Sequence, residues 1–230
     1  MPHPAQADPS RLAQHVFETL RAQIIGLDRL PGSILSRGAL QSEFGASSTP
    51  VRDALMRLQE ENLVEVYPQR ATVVSLIDLY AARQAQFLRR GIEQEAVRLL
   101  ACDPDPGLLA ALDAAIAAQE EFARQGDDAA FAQADRDLHR LLVEAAGAPD
   151  LWPMLRRASG HIDRIRRLQL PGNGKAARIV EDHREIAAAI AAGRPMRALR
   201  AMNAHLSRTV ADWDSLRADH PGHFAPARSR

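Results

Sequence analysis

Strand-forming residues are concentrated in one short stretch of this chain, LVEVYPQRATVVSL at 63–76. Its two Val-rich runs are separated by a turn at 68–70, which is the pattern of a β-hairpin. From about residue 77 onward the strand pattern stops, and Ala, Leu, Arg and Glu dominate. The chain is therefore predicted to be mainly α-helical, with one small β element.

Three helices are predicted ahead of this hairpin. Residues 11–27 carry apolar side chains at steps of four, and LPGS at 30–33 ends that helix. A short helix follows at about 37–44, where Gly45 supplies the flexible residue that ends it. In the third helix, 47–61, Ser47 can cap the free amides and Pro50 fits the first turn. Three helices and a hairpin predict a winged helix-turn-helix.

The rest of the chain is predicted to be an antiparallel all-helical bundle. Breaks at 103–107, 126–128, 147–150, 171–175 and 193–195 divide it into about six helices. We therefore expect a winged helix-turn-helix DNA-binding domain at 1–76, a helical domain at 77–217, and a frayed tail at 218–230.

Charge and cysteine content limit the possible functions. The chain has 29 Lys and Arg against 29 Asp and Glu, and residues 1–76 hold seven Arg against eight acidic residues. Any nucleic-acid binding must therefore come from a local patch. Cys102 is the single cysteine, so a thiolate metal cluster within one chain is excluded. There is no apolar run of 18 residues and no leader pattern, so we expect a cytoplasmic protein without a membrane partner.

The start of the third helix carries the candidate DNA contacts. A recognition helix meets base edges near its N-terminus, where this chain has Ser47, Ser48, Thr49 and Arg52. An exposed Arg suits guanine, and hydroxyls suit phosphate oxygens. Further candidates are Gln69 and Arg70 at the hairpin tip, and Arg37 on the second helix. For a single helix, a merely solvated polar face is the better explanation of such residues, and the order of three helices and a hairpin within about 65 residues is what favours DNA binding.

A candidate metal site emerges from three of the later helices. Asp135 and His139 lie four residues apart at the edge of one apolar face, His183 lies among inward residues, and His205 borders the inward stripe. One carboxylate and three imidazoles suit Zn, Ni, Mn or Fe(II). The alternatives are a surface ion pair for Asp135 and His139, and hydrogen-bonded core histidines elsewhere.

The first part of the chain resembles the DNA-binding domain of the GntR family of bacterial transcription regulators. The resemblance covers 11–76 and rests on LPGSILSRGALQSEFGASSTPVRDALMRLQEENLVEVYPQRATVV, with TPVR and the following AL in register. Ser48 stands where the family usually has Arg, and Ala71 stands where the wing usually has Gly. The resemblance implies binding to double-stranded operator DNA as a homodimer.

Residues 77–217 resemble the FCD ligand-binding domain of FadR-type GntR regulators. Metal-binding members share a D-x-x-x-H motif followed by two later histidines, which corresponds to Asp135, His139, His183 and His205. Arg89, four residues before Glu93, corresponds to an arginine that would meet a ligand carboxylate. The resemblance implies a regulator, in this interpretation a repressor, that senses a small carboxylate effector at a divalent metal ion.

Two other functions compete with a transcription regulator. A metal-dependent enzyme acting on a small carboxylate would use the same four residues to activate water, but the chain offers no H-E-x-x-H base and 30–76 would be unexplained. In a metal-free dimerisation module, the histidines would only fill the core. We expect a regulator and not an enzyme.

Overall fold

The computed structural model describes residues 9–67, 70–170, 174–208, 210 and 212–226. These residues divide into two compact units, one formed by 9–79 with 220–226 and the other by 80–219. The structure confirms the predicted fold class, because a small winged unit precedes an all-helical one. No helix in the described part of the chain is long and apolar enough to cross a membrane.

The first unit contains three helices and a three-stranded antiparallel sheet. Its elements are α1 (Pro9–Gly26), β1 (Ile34–Leu35), α2 (Arg37–Phe44), α3 (Ser48–Glu60), β2 (Val64–Tyr67) and β3 (Ala71–Val74). The apolar faces of α1 and α3 are buried together in one core with the inner residues of the sheet. This burial supplies the main stabilisation of the unit.

Local sequence signals position the helices of this unit. Gly45 ends α2 with a φ of 56°, which is a backbone conformation that favours glycine. The hairpin pairs Val64 with Val74, and the strand order is β1-β3-β2. We did not predict β1, because two residues are too short to produce an alternating pattern.

The C-terminal segment departs from the prediction of a frayed tail. Residues 213–219 form α11 and 221–223 form a short 3₁₀ helix, after which Phe224 pairs with Ile77 in a parallel bridge. The Ile77 amide donates to the His223 carbonyl at 2.8 Å, and the Ala225 amide donates to the Ile77 carbonyl at 3.0 Å. Phe224 is only 4% exposed, so burial of its ring orders this segment. Residues 227–230 lie outside the described part.

The second unit is a helical bundle with more helices than predicted. Its helices are α4 (Leu79–Cys102), α5 (Pro106–Gln125), α6 (Asp128–Ala145), α7 (Leu151–Ala158), α8 (Gly160–Gln169), α9 (Lys175–Ala191), α10 (Pro195–Arg208) and α11 (Trp213–Asp219). One unpredicted break lies at Ser159, whose hydroxyl donates to the Leu155 carbonyl at 2.7 Å. Such back-bonding bends a helix. The helix expected at 195–217 ends at Arg208.

Capping and core packing fix the long helices. Asp105 and Asp127 accept backbone hydrogen bonds at the starts of α5 and α6, at 2.6 Å and 2.9 Å. Apolar side chains from α4, α5, α6, α9 and α10 form one continuous core. The bundle therefore directs inward side chains from five helices toward a common interior.

Candidate DNA-contacting surface and metal centre

The N-terminus of α3 presents a polar surface. Ser47, Ser48, Thr49 and Arg52 are all exposed, while Pro50 and Val51 are buried on the opposite side. Ser47 precedes α3 in an extended conformation but makes no side-chain capping hydrogen bond. The first amides of α3 and the nearby hydroxyls are therefore placed where they can bind phosphate oxygens.

The other predicted DNA contacts lie in the same unit. Arg37 is exposed as the first residue of α2, and Arg70 is exposed in the turn between β2 and β3. Gln69 lies outside the described residues. Arg52 is 66% exposed at its side chain, and its only ion pair among the described residues is a 3.9 Å contact with Asp53. Its guanidinium is thus available for a base edge or a phosphate.

Three buried histidines from three helices meet in the helical unit. His139 comes from α6, His183 from α9 and His205 from α10, and each is at most 3% exposed. One ring nitrogen of each lies within 4.8 Å of those of the other two. The Nε2 atoms of His139 and His205 are 3.3 Å apart. Three residues separated by up to 66 positions in sequence therefore form one cluster.

The Nδ1 side of His183 is held by a side chain that the sequence did not single out. Gln119 of α5 is fully buried, and its Oε1 lies 2.7 Å from His183 Nδ1. The Gln119 amide nitrogen donates to the Ala134 carbonyl at 3.2 Å, which fixes the orientation of the amide. His183 must then carry its proton on Nδ1, so the lone pair of Nε2 points into the cluster.

His139 is oriented by a buried ion pair. Its Nδ1 lies 2.7 Å from Glu93 Oε2, and Arg89 Nε donates to Glu93 Oε1 at 2.6 Å. Arg89 and Glu93 form the i,i+4 pair that is the alternative to a carboxylate-binding role for Arg89, and both side chains are buried. Burial by itself would raise the pKa of Glu93, but Arg89 and His139 outweigh it and lower this pKa to about 2. Glu93 therefore provides a permanent negative charge beside His139.

The third histidine has an acidic partner on the neighbouring helix. His205 Nδ1 lies 3.3 Å from Asp182 Oδ2, and Arg208 also pairs with Asp182. Burial lowers the pKa of His205 to about 4, although Asp182 opposes this shift. Burial and the neighbouring His205 likewise lower the pKa of His183 well below its usual value. Both imidazoles are therefore neutral at neutral pH, as metal ligands must be.

Asp135 is the carboxylate of the cluster. It is fully buried on α6, with Oδ1 3.9 Å from His183 Nε2 and Oδ2 3.9 Å from His139 Nε2. Arg166 of α8 pairs with Oδ2 at 2.5 Å. Burial opposes ionisation, but Arg166 and the histidines keep the pKa of Asp135 well below its usual range. This burial contradicts the alternative of a surface ion pair between Asp135 and His139.

The donor set fits a divalent cation. Asp135 Oδ1 and His183 Nε2 are buried and make no hydrogen bond within the described residues. Two nitrogens at about 2.0–2.1 Å from a tetrahedral zinc ion lie about 3.3–3.4 Å apart, close to the spacing of the Nε2 atoms of His139 and His205. With Nδ1 protonated on both rings, that spacing brings two lone pairs together, which is unfavourable unless a cation lies between them.

The sequence identifies Asp135, His139, His183 and His205 as the candidate ligands but not the side chains that support them. It gave Glu93 only as the i,i+4 partner of Arg89, and it did not identify Gln119, Asp182 or Arg166. A Gln on an apolar helix face carries no metal-binding signal, and Asp182 directly precedes His183 on a helix, where adjacent residues point in different directions. Only the packing of α5, α8 and α9 shows these roles.

Comparison with known proteins agrees with the two-unit division. Residues 12–74 match the model for "Bacterial regulatory proteins, gntR family", and residues 79–208 match that for the "FCD domain". An uncharacterized HTH-type transcriptional regulator in an unstable DNA locus of Streptomyces ambofaciens is 33% identical over 96% of this chain and 93% of its own length. The HTH-type transcriptional repressor RspR of Escherichia coli is 25% identical over 96% and 97%, respectively.

Two solved structures share the fold of this chain. Escherichia coli McbR/YncC superposes with a TM-score of 0.76 at 22% identity, covering 91% of this chain and 98% of that one. A transcriptional regulator GntR from Rhodococcus sp. RHA1 superposes with a TM-score of 0.71 at 22% identity, covering 93% and 99%. At 22% identity, the similarity to these two structures shows a shared fold and nothing further.

Proposed function

This chain belongs to the GntR family of bacterial regulatory proteins and carries an FCD domain, so it is a transcriptional regulator, and we propose that it is a metal-dependent sensor of a small carboxylate. The family and the similar proteins are regulators and not enzymes, which makes the metal-dependent enzyme wrong as an alternative. In this proposal the winged unit binds operator DNA, and the FCD domain holds the metal and the effector.

DNA reading is assigned to the exposed start of α3. Ser47, Ser48 and Thr49 would bind phosphates together with the free amides of α3, and Arg52 would contact a base edge. Arg37, Gln69 and Arg70 complete the proposed contact set. Replacing Arg52 by alanine should weaken binding to the DNA flanking the gene by ~1–3 kcal/mol, measured by fluorescence anisotropy. Arg11→Ala, which changes an exposed arginine outside this set, is the control.

One observation carries the metal proposal: three histidines have Nδ1 beside an acceptor and Nε2 directed at a common centre. His139, His183 and His205 would hold the ion together with Asp135. A bound divalent ion, zinc, nickel, manganese or iron, would supply a Lewis-acidic anchor for a carboxylate oxygen. The acceptors Glu93, Gln119 and Asp182 would keep each ring in the ligating tautomer.

The effector is assigned to a small cavity beside Arg89. This cavity of about 20 Å³ is lined by Arg89, His139, Trp152 and Arg166, among others. It has room for about one water molecule. A carboxylate ligand must therefore displace side chains of α7 or α8 to enter, and this repacking would shift the population toward a state with lower DNA affinity.

Homodimer formation and repression complete the proposal. The long helix α4 exposes Tyr80, Phe87 and Leu88, and Phe87 is 81% exposed. Large apolar side chains left in water on one helix favour a second copy of the chain as their partner. Repression is proposed because the similar RspR of Escherichia coli is a repressor. Light scattering of the purified protein tests the dimer. A reporter strain that lacks the gene tests whether the protein represses or activates transcription, and repression should be lost in it.

Metal analysis of the full-length protein is the decisive experiment. We expect about one divalent ion per chain in the wild type, and almost none in His183→Ala, which removes a fully buried ligand. His15→Ala, an exposed histidine of the winged unit, should retain the metal. Full occupancy in His183→Ala would refute the site. Absence of metal from the wild type after incubation with each candidate ion would favour the metal-free dimerisation module.

A further inference from the structure

A second pocket lies on the outer side of His205, where the end of α8 meets α9 and α10. Its volume is about 80 Å³, several times the 10–15 Å³ or so that one water requires. Its polar lining consists of His205 with Arg166, Gln169, Lys175, Arg178, Asp182 and Arg208. The pocket does not include Arg89 and is separate from the small cavity described above.

Positive charge predominates in this pocket. Four cationic side chains face one lining carboxylate, Asp182. Lys175 pairs with Asp212 at 3.1 Å, and Arg208 pairs with Asp182, but Arg178 makes no ion pair within the described residues. Lys175 also begins the 17-residue helix α9, whose N-terminal amides add partial positive charge. An anion would therefore find unbalanced positive charge centred on Arg178.

Gln169 supplies a second, independent indication of a ligand. Gln169 lines the pocket, and its amide nitrogen Nε2 is enclosed by neighbouring atoms with no hydrogen-bond partner in the described part of the chain, so the amide must turn toward the pocket to donate to a ligand. A buried donor without an acceptor is unfavourable, so a ligand that supplies an acceptor would stabilise it. The cations around it make an oxygen of an anion the natural acceptor.

We propose that this pocket binds an oxyanion, either inorganic phosphate or the carboxylate end of a small organic acid. Arg178 and Lys175 would neutralise it, and the Gln169 amide, once turned toward the pocket, would donate to one of its oxygens. The 80 Å³ volume admits such a group without the repacking that the cavity at Arg89 requires. The argument for this second anion site uses only the pocket and does not depend on the proposed metal site.

The pocket is linked to the metal centre through two of its own arginines. Arg166 pairs with Asp135, and Arg208 pairs with Asp182, which holds His205. An anion that draws Arg166 toward the pocket leaves Asp135 freer to ligate, and an anion is attracted to a nearby divalent ion. The two ligands should therefore strengthen each other's binding, a coupling that rests on the proposed metal site.

The anion site is tested on metal-free full-length protein by calorimetry with sulfate, inorganic phosphate and succinate. We expect sulfate to bind, together with phosphate, succinate or both. Tighter binding of phosphate or of succinate decides whether the pocket prefers a phosphate or a carboxylate. Arg178→Ala should weaken this binding about tenfold or more, because a charge-assisted contact is lost. Arg200→Ala, an exposed arginine of α10 outside the pocket, should bind normally. Absence of binding, or equal binding by Arg178→Ala, would overturn the proposal.

The coupling is tested by measuring zinc affinity by chelator competition, with and without sulfate. At a sulfate concentration that saturates the wild type, sulfate should raise the zinc affinity severalfold in the wild type and clearly less in Arg178→Ala. An unchanged zinc affinity in wild-type protein that binds sulfate would overturn the coupling. If the protein binds sulfate but no zinc, the metal proposal fails while the anion site is supported.

Discussion

Replacing Glu93 by glutamine tests whether the buried series of contacts from Arg89 through Glu93 to His139 supports both the fold and the proposed metal centre. The substitution keeps the size of the side chain but removes its negative charge. Arg89, 6% exposed and 2.6 Å from Glu93, then lacks its compensating charge. His139 Nδ1 loses its charged acceptor at 2.7 Å.

The magnitude follows from the pKa of Glu93. In the folded protein this pKa is lowered from its ordinary value of 4.5 to about 2. Since one pKa unit corresponds to about 1.36 kcal/mol, ionised Glu93 contributes on the order of 3 kcal/mol to stability at neutral pH. Breaking a buried ion pair by removing one partner typically costs about 3–5 kcal/mol, which agrees.

The sign of the pH dependence also follows. A carboxylate whose pKa is lowered on folding stabilises the protein above about pH 4.5, and this contribution is lost as the pH falls toward 2. The difference in unfolding free energy between wild type and Glu93→Gln should therefore be full at pH 7 and shrink below pH 4.5. The difference between the two proteins isolates Glu93 from other titrating groups.

Urea unfolding of the metal-free proteins at several pH values measures this effect. Chelator competition at pH 7 should show metal affinity about 10–100-fold lower in the variant, as is usual when a residue that orients a ligand is lost. Glu95→Gln, which breaks an exposed pair with Arg98 on the same helix, should change neither quantity much. A loss of stability below 1 kcal/mol, or one independent of pH, would refute the reasoning.

Three further substitutions probe other parts of the molecule. Gln119→Leu leaves the Nδ1 proton of His183 without its acceptor. It should lower the free energy of unfolding by about 1–3 kcal/mol, measured with urea, and lower metal affinity about 10–100-fold. Normal metal affinity would contradict the assigned tautomer. Arg89→Lys keeps a positive charge near Glu93 but loses the planar guanidinium, which can donate two parallel hydrogen bonds to a carboxylate. The metal-loaded variant should therefore bind acetate about tenfold more weakly, measured by calorimetry. Equal binding would show that Arg89 does not contact the carboxylate. Phe224→Ala should destabilise the winged unit by about 3–5 kcal/mol, measured by hydrogen exchange of the amides around Ile77; unchanged exchange would show that the C-terminal segment is dispensable.

Periodicity and turn chemistry were sufficient for the architecture. The apolar steps of α1, Pro50 in the first turn of α3 and the Val-rich hairpin are local signals, and each acts over only a few residues. The side-chain cap predicted for Ser47 is not formed. The break at Ser159 was missed because a hydroxyl bonding back to Leu155 leaves no periodic trace. The ordering of 220–226 was missed because it depends on Phe224 reaching Ile77, about 150 residues earlier.

The sequence by itself placed His183 among the inward residues of its helix, and it placed Asp135, His139 and His205 at the edges of apolar faces. Only the tertiary structure decided that these side chains meet, because convergence depends on how α6, α9 and α10 pack. It also decided that Glu93, Gln119 and Asp182 lie behind the three rings and that Arg166 joins the cluster to the basic pocket. Helical periodicity is a local property, whereas the chemistry of a bundle interior depends on side chains that only long-range packing brings together.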